Sequence, residues 1–156
     1  MILNRMALGL SVAMMFAGVG CGGDDPLAGA WTNAACFGNK ATPAGIKSCS
    51  TELTFTNDLA FSLKSKEFSE PATAMAPGCT TTRSVDGMTW STDGDTFTLA
   101  GEGKATMERS SCVTPSDEFK SMATTSIALK SGASGYVVTE NTLTIATGGL
   151  AGTYTR

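Results

Sequence analysis

The spacing of the apolar residues limits this chain more than any other feature: they recur two apart in short runs and nowhere sustain the three-and-four spacing of a long helix. Leu53-Thr54-Phe55-Thr56 alternates and ends at Asn57-Asp58, a pair suited to a turn, and Phe61-Ser62-Leu63 resumes the alternation beyond it. The spacing predicts a hairpin there. Asp86-Gly87 precedes Met88-Thr89-Trp90, Asp93-Gly94-Asp95 precedes Thr96-Phe97-Thr98-Leu99, and Gly101-Glu102-Gly103 interrupts the run that follows. Ile127 and Leu129, Tyr136 and Val138, and Leu143 and Ile145 each lie two apart, with Gly132, Gly135, Asn141, Gly148 and Gly149 as punctuation. Because successive strand side chains point to opposite faces, each run buries one face and wets the other. The expectation is an all-β domain, a meander of short antiparallel strands. Residues 90–100 also align without gaps on residues 136–146, Trp90 falling on Tyr136, Asp95 on Asn141 and Phe97-Thr98-Leu99 on Leu143-Thr144-Ile145. The same strand-turn-strand unit is thus expected twice.

One short helix is expected over residues 115–122, with Thr114 as cap, Pro115 in the first turn, and Asp117 and Glu118 placed to complement the helix dipole. Residues 71–77, rich in alanine and proline, read as an irregular connection running into Cys79. Lys64 and Lys66 share one face of a strand, the ordinary protection of a sheet edge.

The amino-terminal segment has a different character. Arg5 is followed by an uncharged stretch from Met6 to Val19, and small residues lead into Cys21, the layout of a signal peptide. Fourteen helical residues rising about 1.5 Å each cover about 21 Å, short of a hydrocarbon core of roughly 30 Å, which argues against a permanent span. The run Gly18-Val19-Gly20-Cys21 resembles the lipobox of bacterial lipoproteins, with Gly18 where that pattern prefers leucine. The resemblance implies cleavage after residue 20, lipidation of Cys21 with diacylglyceryl and acyl chains such as palmitate, and stable attachment to a membrane. It also implies the outer membrane, since Gly22 and Gly23 rather than an aspartate follow Cys21. The chain then divides into a signal peptide over 1–20, a lipidated glycine- and aspartate-rich tether over 21–26, and one domain over 27–156.

Of five cysteines, Cys21 is assigned to lipid, and Cys36, Cys49, Cys79 and Cys112 remain as an even set suited to two disulfides in an oxidising compartment. Three connectivities stay open, the local pairs Cys36 with Cys49 and Cys79 with Cys112 being preferred. A zinc site of four thiolates is the competing reading, and no close Cys-x-x-Cys pair supports it. The formal net charge of −3 leaves no basic field for nucleic acid, and loss of residues 1–20 would remove Arg5 and no acid.

Leu27-Ala28-Gly29-Ala30-Trp31 near one end and Gly152-Thr153-Tyr154-Thr155-Arg156 at the other together resemble a small lipocalin-like domain, whose first strand carries Gly-x-Trp and whose final strand brings an arginine over that tryptophan. The resemblance spans 27–156. It implies a small antiparallel up-and-down β-barrel closed by Trp31 and Arg156, in which the guanidinium gains a cation–π contact of about 0.5–2 kcal/mol. The same periodicity also permits an antiparallel β-sandwich.

Absence of histidine removes the commonest general base, the usual triads and most catalytic zinc sites, so no catalytic residue is assigned. The carboxylate pairs Asp93 with Asp95 and Asp117 with Glu118 fall where a turn and a helix start need them. Asp93-Gly94-Asp95 lacks the rest of a calcium loop, and no phosphate loop or dinucleotide fingerprint occurs. No cofactor or metal is called for. Three function classes stay open: an envelope lipoprotein binding a small apolar ligand in its barrel, a structural or interaction lipoprotein working through a protein partner, and a small disulfide-bonded inhibitor of secreted enzymes. For the first, the candidate lining residues are Phe55, Phe61, Met88, Trp90, Phe97 and Tyr136.

Overall fold

A computed structural model describes residues 25–37, 42–73, 76–124 and 134–156. The expected signal peptide, Cys21, most of the expected tether and the run at Ile127 and Leu129 lie outside the described residues. No described helix is long and apolar enough to cross a membrane.

The alternation read from the sequence becomes twelve strands among the described residues: β1 (Gly29–Asn33), β2 (Ile46–Phe55), β3 (Ala60–Ser69), β4 (Pro71–Thr73), β5 (Ala76–Pro77), β6 (Thr80–Asp93), β7 (Thr96–Ala100), β8 (Lys104–Ser110), β9 (Phe119–Thr124), β10 (Ser134–Val138), β11 (Thr142–Ile145) and β12 (Gly152–Thr155). Eight of them close on themselves in the order β1, β2, β3, β6, β7, β10, β11, β12 and back to β1, every neighbour antiparallel. Each barrel strand therefore pairs with the barrel strands before and after it along the chain, the definition of an up-and-down barrel. A sandwich would have left two pairs of free edges, and the β1–β12 pairing, with Thr32 opposite Thr155, removes them.

The expected hairpins form. Phe55 faces Phe61 across the β2–β3 turn, where Thr56 binds both the Asp58 carboxylate and the Ala60 backbone. Asp93 faces Thr96 around Gly94-Asp95, with Gly94 at φ 60°, a two-residue turn that suits glycine. The two aligned segments superpose in register: Trp90 opposite Leu99 in one hairpin corresponds to Tyr136 opposite Ile145 in the other.

Four readings need correction. Residues 115–122 are not one helix: Pro115–Asp117 makes a single 3₁₀ turn, Thr114 forms no side-chain cap, and β9 begins at Phe119. Glu108 lies opposite Lys120 and Arg109 opposite Phe119, so ladder bonds with β8 outcompete the weak local helix signals. Asp86-Gly87 does not mark the start of a short strand. It sits inside the 14-residue β6, with Gly87 at φ 90°, beside a register shift against β3, so the glycine supplies a bend in a continuous strand. Residues 71–77 contain a small ladder, β4 with β5, that joins Pro71 to Pro77 and Thr73 to Ala76. Lys64 and Lys66 lie on β3, which is hydrogen-bonded on both sides, so they are the outward face of an interior strand and not edge protection.

The bend at Gly87 divides the molecule. Below it β6 pairs with β7 from Thr89 to Asp93, and above it the same edge pairs with β8 from Thr80 to Asp86. The link 101–103 crosses this fork at close quarters: a Cβ on Gly103 would stand 2.6 Å from Val85 Cγ1. Beyond the fork, β2, β3, β6, β8 and β9 form one extended wall. Two disulfides, Cys36–Cys49 and Cys79–Cys112, brace its upper end, which places all four sulfurs in covalent pairs and fits an oxidising compartment.

Candidate functional site

The lower barrel is filled. Phe55, Phe61, Met88, Trp90 and Phe97 are all buried, together with Leu27, Trp31, Leu53, Leu99, Leu143 and Ile145. Phe55 stands at the centre, its ring 5.1 Å from Phe61, 5.5 Å from Trp90 and 5.6 Å from Phe97, the last two edge-on, the packing that ring quadrupoles prefer. Trp90 donates from Nε1 to the Thr56 carbonyl at 3.0 Å. Tyr136 is half-buried, 5.8 Å from Phe97, and burial together with Asp25 and Asp95 raises its pKa. The six aromatic and methionine positions expected to line a ligand site are thus brought together, and they pack on one another.

Trp31 and Arg156 meet at the base of this core. Trp31 is fully buried and donates from Nε1 to the Leu27 carbonyl at 2.8 Å. The Arg156 guanidinium lies 4.1 Å from its ring centroid, and Nη2 donates to the carbonyls of Pro26 and Ala28 at 2.7 and 2.9 Å. Gly29, at φ 134°, occupies backbone space that favours glycine, and a Cβ there would sit 3.5 Å from Arg156 Nε. A shallow, more polar depression flanks this closure, bordered by Asp25, Arg156 and Asn57, with Phe55 at its edge.

Space appears instead beyond the fork. A half-open pocket of about 300 Å³ lies against the inner face of the extended wall, lined by Leu63 and Ser65 of β3, Arg83 and Val85 of β6 with Ser84 between them, Ala105 and Met107 of β8 with Thr106 between them, Ser121 of β9, and Phe37. Strand periodicity explains most of the lining: Val85 pairs with Ala105 and Arg83 with Met107, and Met107 in turn pairs with Ser121, so these residues face the same way. Phe37 reaches the pocket because its neighbour Cys36 is bonded to Cys49 on β2. The Ala35 carbonyl accepts from Thr51 Oγ1 and the Ala35 N–H donates to Asn33 Oδ1, which turns the segment back over the wall.

Two polar features sit on this apolar surface. Arg83 Nη1 is 2.6 Å from Glu67 Oε1, an inward-facing ion pair with the carboxylate largely covered. Ser65 is 1 % exposed, and its hydroxyl is buried with no hydrogen-bond partner, a costly arrangement in an apolar wall. Nothing in the sequence singled out Ser65, Arg83, Met107 or Ser121. Their alternation would have been readable only with the knowledge that β8 and β9 join β6 on its inner side.

Asp117 stands in the 3₁₀ turn, and Glu118 accepts from the Cys112 N–H at 3.0 Å, a structural bond. Among the described residues no cluster of side chains is arranged to hold a metal. Comparison with protein-family models, curated proteins and solved structures returned no match.

Proposed function

We propose that this chain is a lipoprotein of the cell envelope, lipidated on Cys21 and held at the outer membrane, that carries a small apolar molecule in its lipocalin-like barrel domain. The observation that carries the binding role is the half-open pocket of about 300 Å³ with walls of Leu63, Val85, Ala105, Met107 and Phe37. An apolar recess of that size retains water poorly, because its walls offer few hydrogen bonds, and it falls at the small end of ligand sites. Support for the anchor comes from the Gly18-Val19-Gly20-Cys21 run and from the two disulfides, which suit an exported chain. The ligand site differs from the one expected on sequence: it lies beside the aromatic cluster, not within it.

The test uses the full chain carrying Cys21→Ser, so that no acyl chain or detergent competes for the pocket, with the neutral apolar dye N-phenyl-1-naphthylamine as probe. Saturable fluorescence enhancement is expected at micromolar dye, falling at least tenfold in affinity in Ala105→Trp, which fills the pocket. No saturable binding by the parent chain, or equal binding by Ala105→Trp, would overturn the ligand-carrier reading. The anchor is tested separately: the native chain is expected in the membrane fraction with a mass increase on Cys21, and Cys21→Ser in the soluble fraction.

A further inference from the structure

We infer that the pocket selects an uncharged molecule whose apolar body bears a single oxygen, an alcohol or ketone, received by the Ser65 hydroxyl; this rests on the ligand-carrier reading. Ser65 faces inward from β3 between Thr51 and Arg83, its cross-strand neighbours. Thr51 Oγ1 is engaged with the Ala35 carbonyl, and Arg83 is paired with Glu67, which leaves the Ser65 hydroxyl as a buried group with donor and acceptor capacity both unused. The structure therefore holds an unmet hydrogen bond in a largely apolar wall. A ligand oxygen placed there satisfies it while the ligand body lies against Leu63, Val85, Met107 and Phe37.

Charge decides the class. Among the described lining residues Arg83 carries the charge, and Glu67, paired with it at 2.6 Å, offsets that charge. Arg109, two residues beyond Met107, stacks its guanidinium 5.2 Å from the Phe119 ring and is not part of the lining. A carboxylate entering the pocket would find Arg83 already paired with Glu67, an ammonium would meet the same guanidinium as a like charge, and each would lose its hydration for one neutral hydroxyl. An uncharged oxygen loses little and gains that bond.

Three probes sharing one apolar body separate the possibilities: 1-octanol, octanoate and octylammonium, each titrated at pH 7 against dye-loaded full chain carrying Cys21→Ser. Octanol is expected to displace the dye at concentrations at least tenfold below the other two, and Ser65→Ala to weaken octanol about tenfold, the equivalent of one buried hydrogen bond. The same variant is expected to unfold at no lower temperature than the parent, since it removes an unmet polar group, so misfolding does not confound the result. Octanoate or octylammonium binding as well as octanol, or Ser65→Ala binding octanol unchanged, overturns the inference while dye binding leaves the carrier reading standing. Failure of all three probes and of the dye overturns both.

Discussion

Arg156 acts at one spot in two ways, through its charge over the Trp31 ring and through two hydrogen bonds to the carbonyls of Pro26 and Ala28. A cation–π contact contributes about 0.5–2 kcal/mol and a charge-assisted hydrogen bond about 1.5–3 kcal/mol, reduced by the exposure of these bonds to water. Arg156→Ala should therefore destabilise the domain by about 2–3 kcal/mol, measured as a lower denaturation midpoint, and Arg156→Lys should recover part of that. An unchanged midpoint in Arg156→Ala would mean the closure holds nothing together. Tyr154, on β12, offers a second test at this scale. Its ring is buried and its hydroxyl donates to the Leu150 carbonyl at 2.9 Å, and burial pushes its pKa up to about 12. A phenol with a raised folded pKa keeps its proton where the unfolded chain has lost it. The stability it contributes is complete below about pH 10 and is lost between about pH 10 and 12, up to about 2–3 kcal/mol. The melting temperature of the wild type should fall across that window, and Tyr154→Phe should flatten the slope.

Strands tell which parts of this fold were legible. Pairs such as Phe55 with Phe61 or Asp93 with Thr96 join residues only a few positions apart, and both the alternation and the turn residues that fix their register stand next to one another in the sequence. The helix expected over 115–122 failed because Thr114, Pro115 and Asp117 are signals for a first turn alone, and the structure uses them for one 3₁₀ turn before β8 claims the remainder. Asp86-Gly87 misled for a related reason, since a glycine at positive φ serves a bend as well as a reversal. The pocket was hidden more deeply: its wall includes Ser65, Arg83 and Ser121, polar residues that a period-two reading assigns to water. At this scale the link between 33 and 46 is the element to perturb. The Cys36–Cys49 bridge closes a short loop worth about 3 kcal/mol in chain entropy and also fixes Phe37 over the pocket. Replacing both cysteines by serine should lower stability by about that amount and weaken dye binding. The corresponding pair of changes at Cys79 and Cys112 should lower stability and spare binding, because neither residue borders the pocket.

Across the whole molecule two regions answer to different demands. Around Phe55 the barrel is filled and sealed, and above the bend at Gly87 the wall opens into a recess that the sealed part holds in shape. The Trp31 and Arg156 signature was readable as a closure because both residues are chemically conspicuous, while the recess depends on a five-strand wall assembled from three separate stretches of chain. The seam between β1 and β12 carries a further consequence, in time. Thr32 bonds to the Thr155 carbonyl across 123 positions, and such a pairing must wait for nearly the whole domain to be present and for a large loss of chain freedom before it returns anything. Until then β1 and β12 each leave a raw edge able to pair with a neighbouring molecule. Folding of this domain should accordingly be slow and sensitive to crowding by its own kind, and a cell would be served by keeping the emerging chain apart from its siblings until the seam is shut.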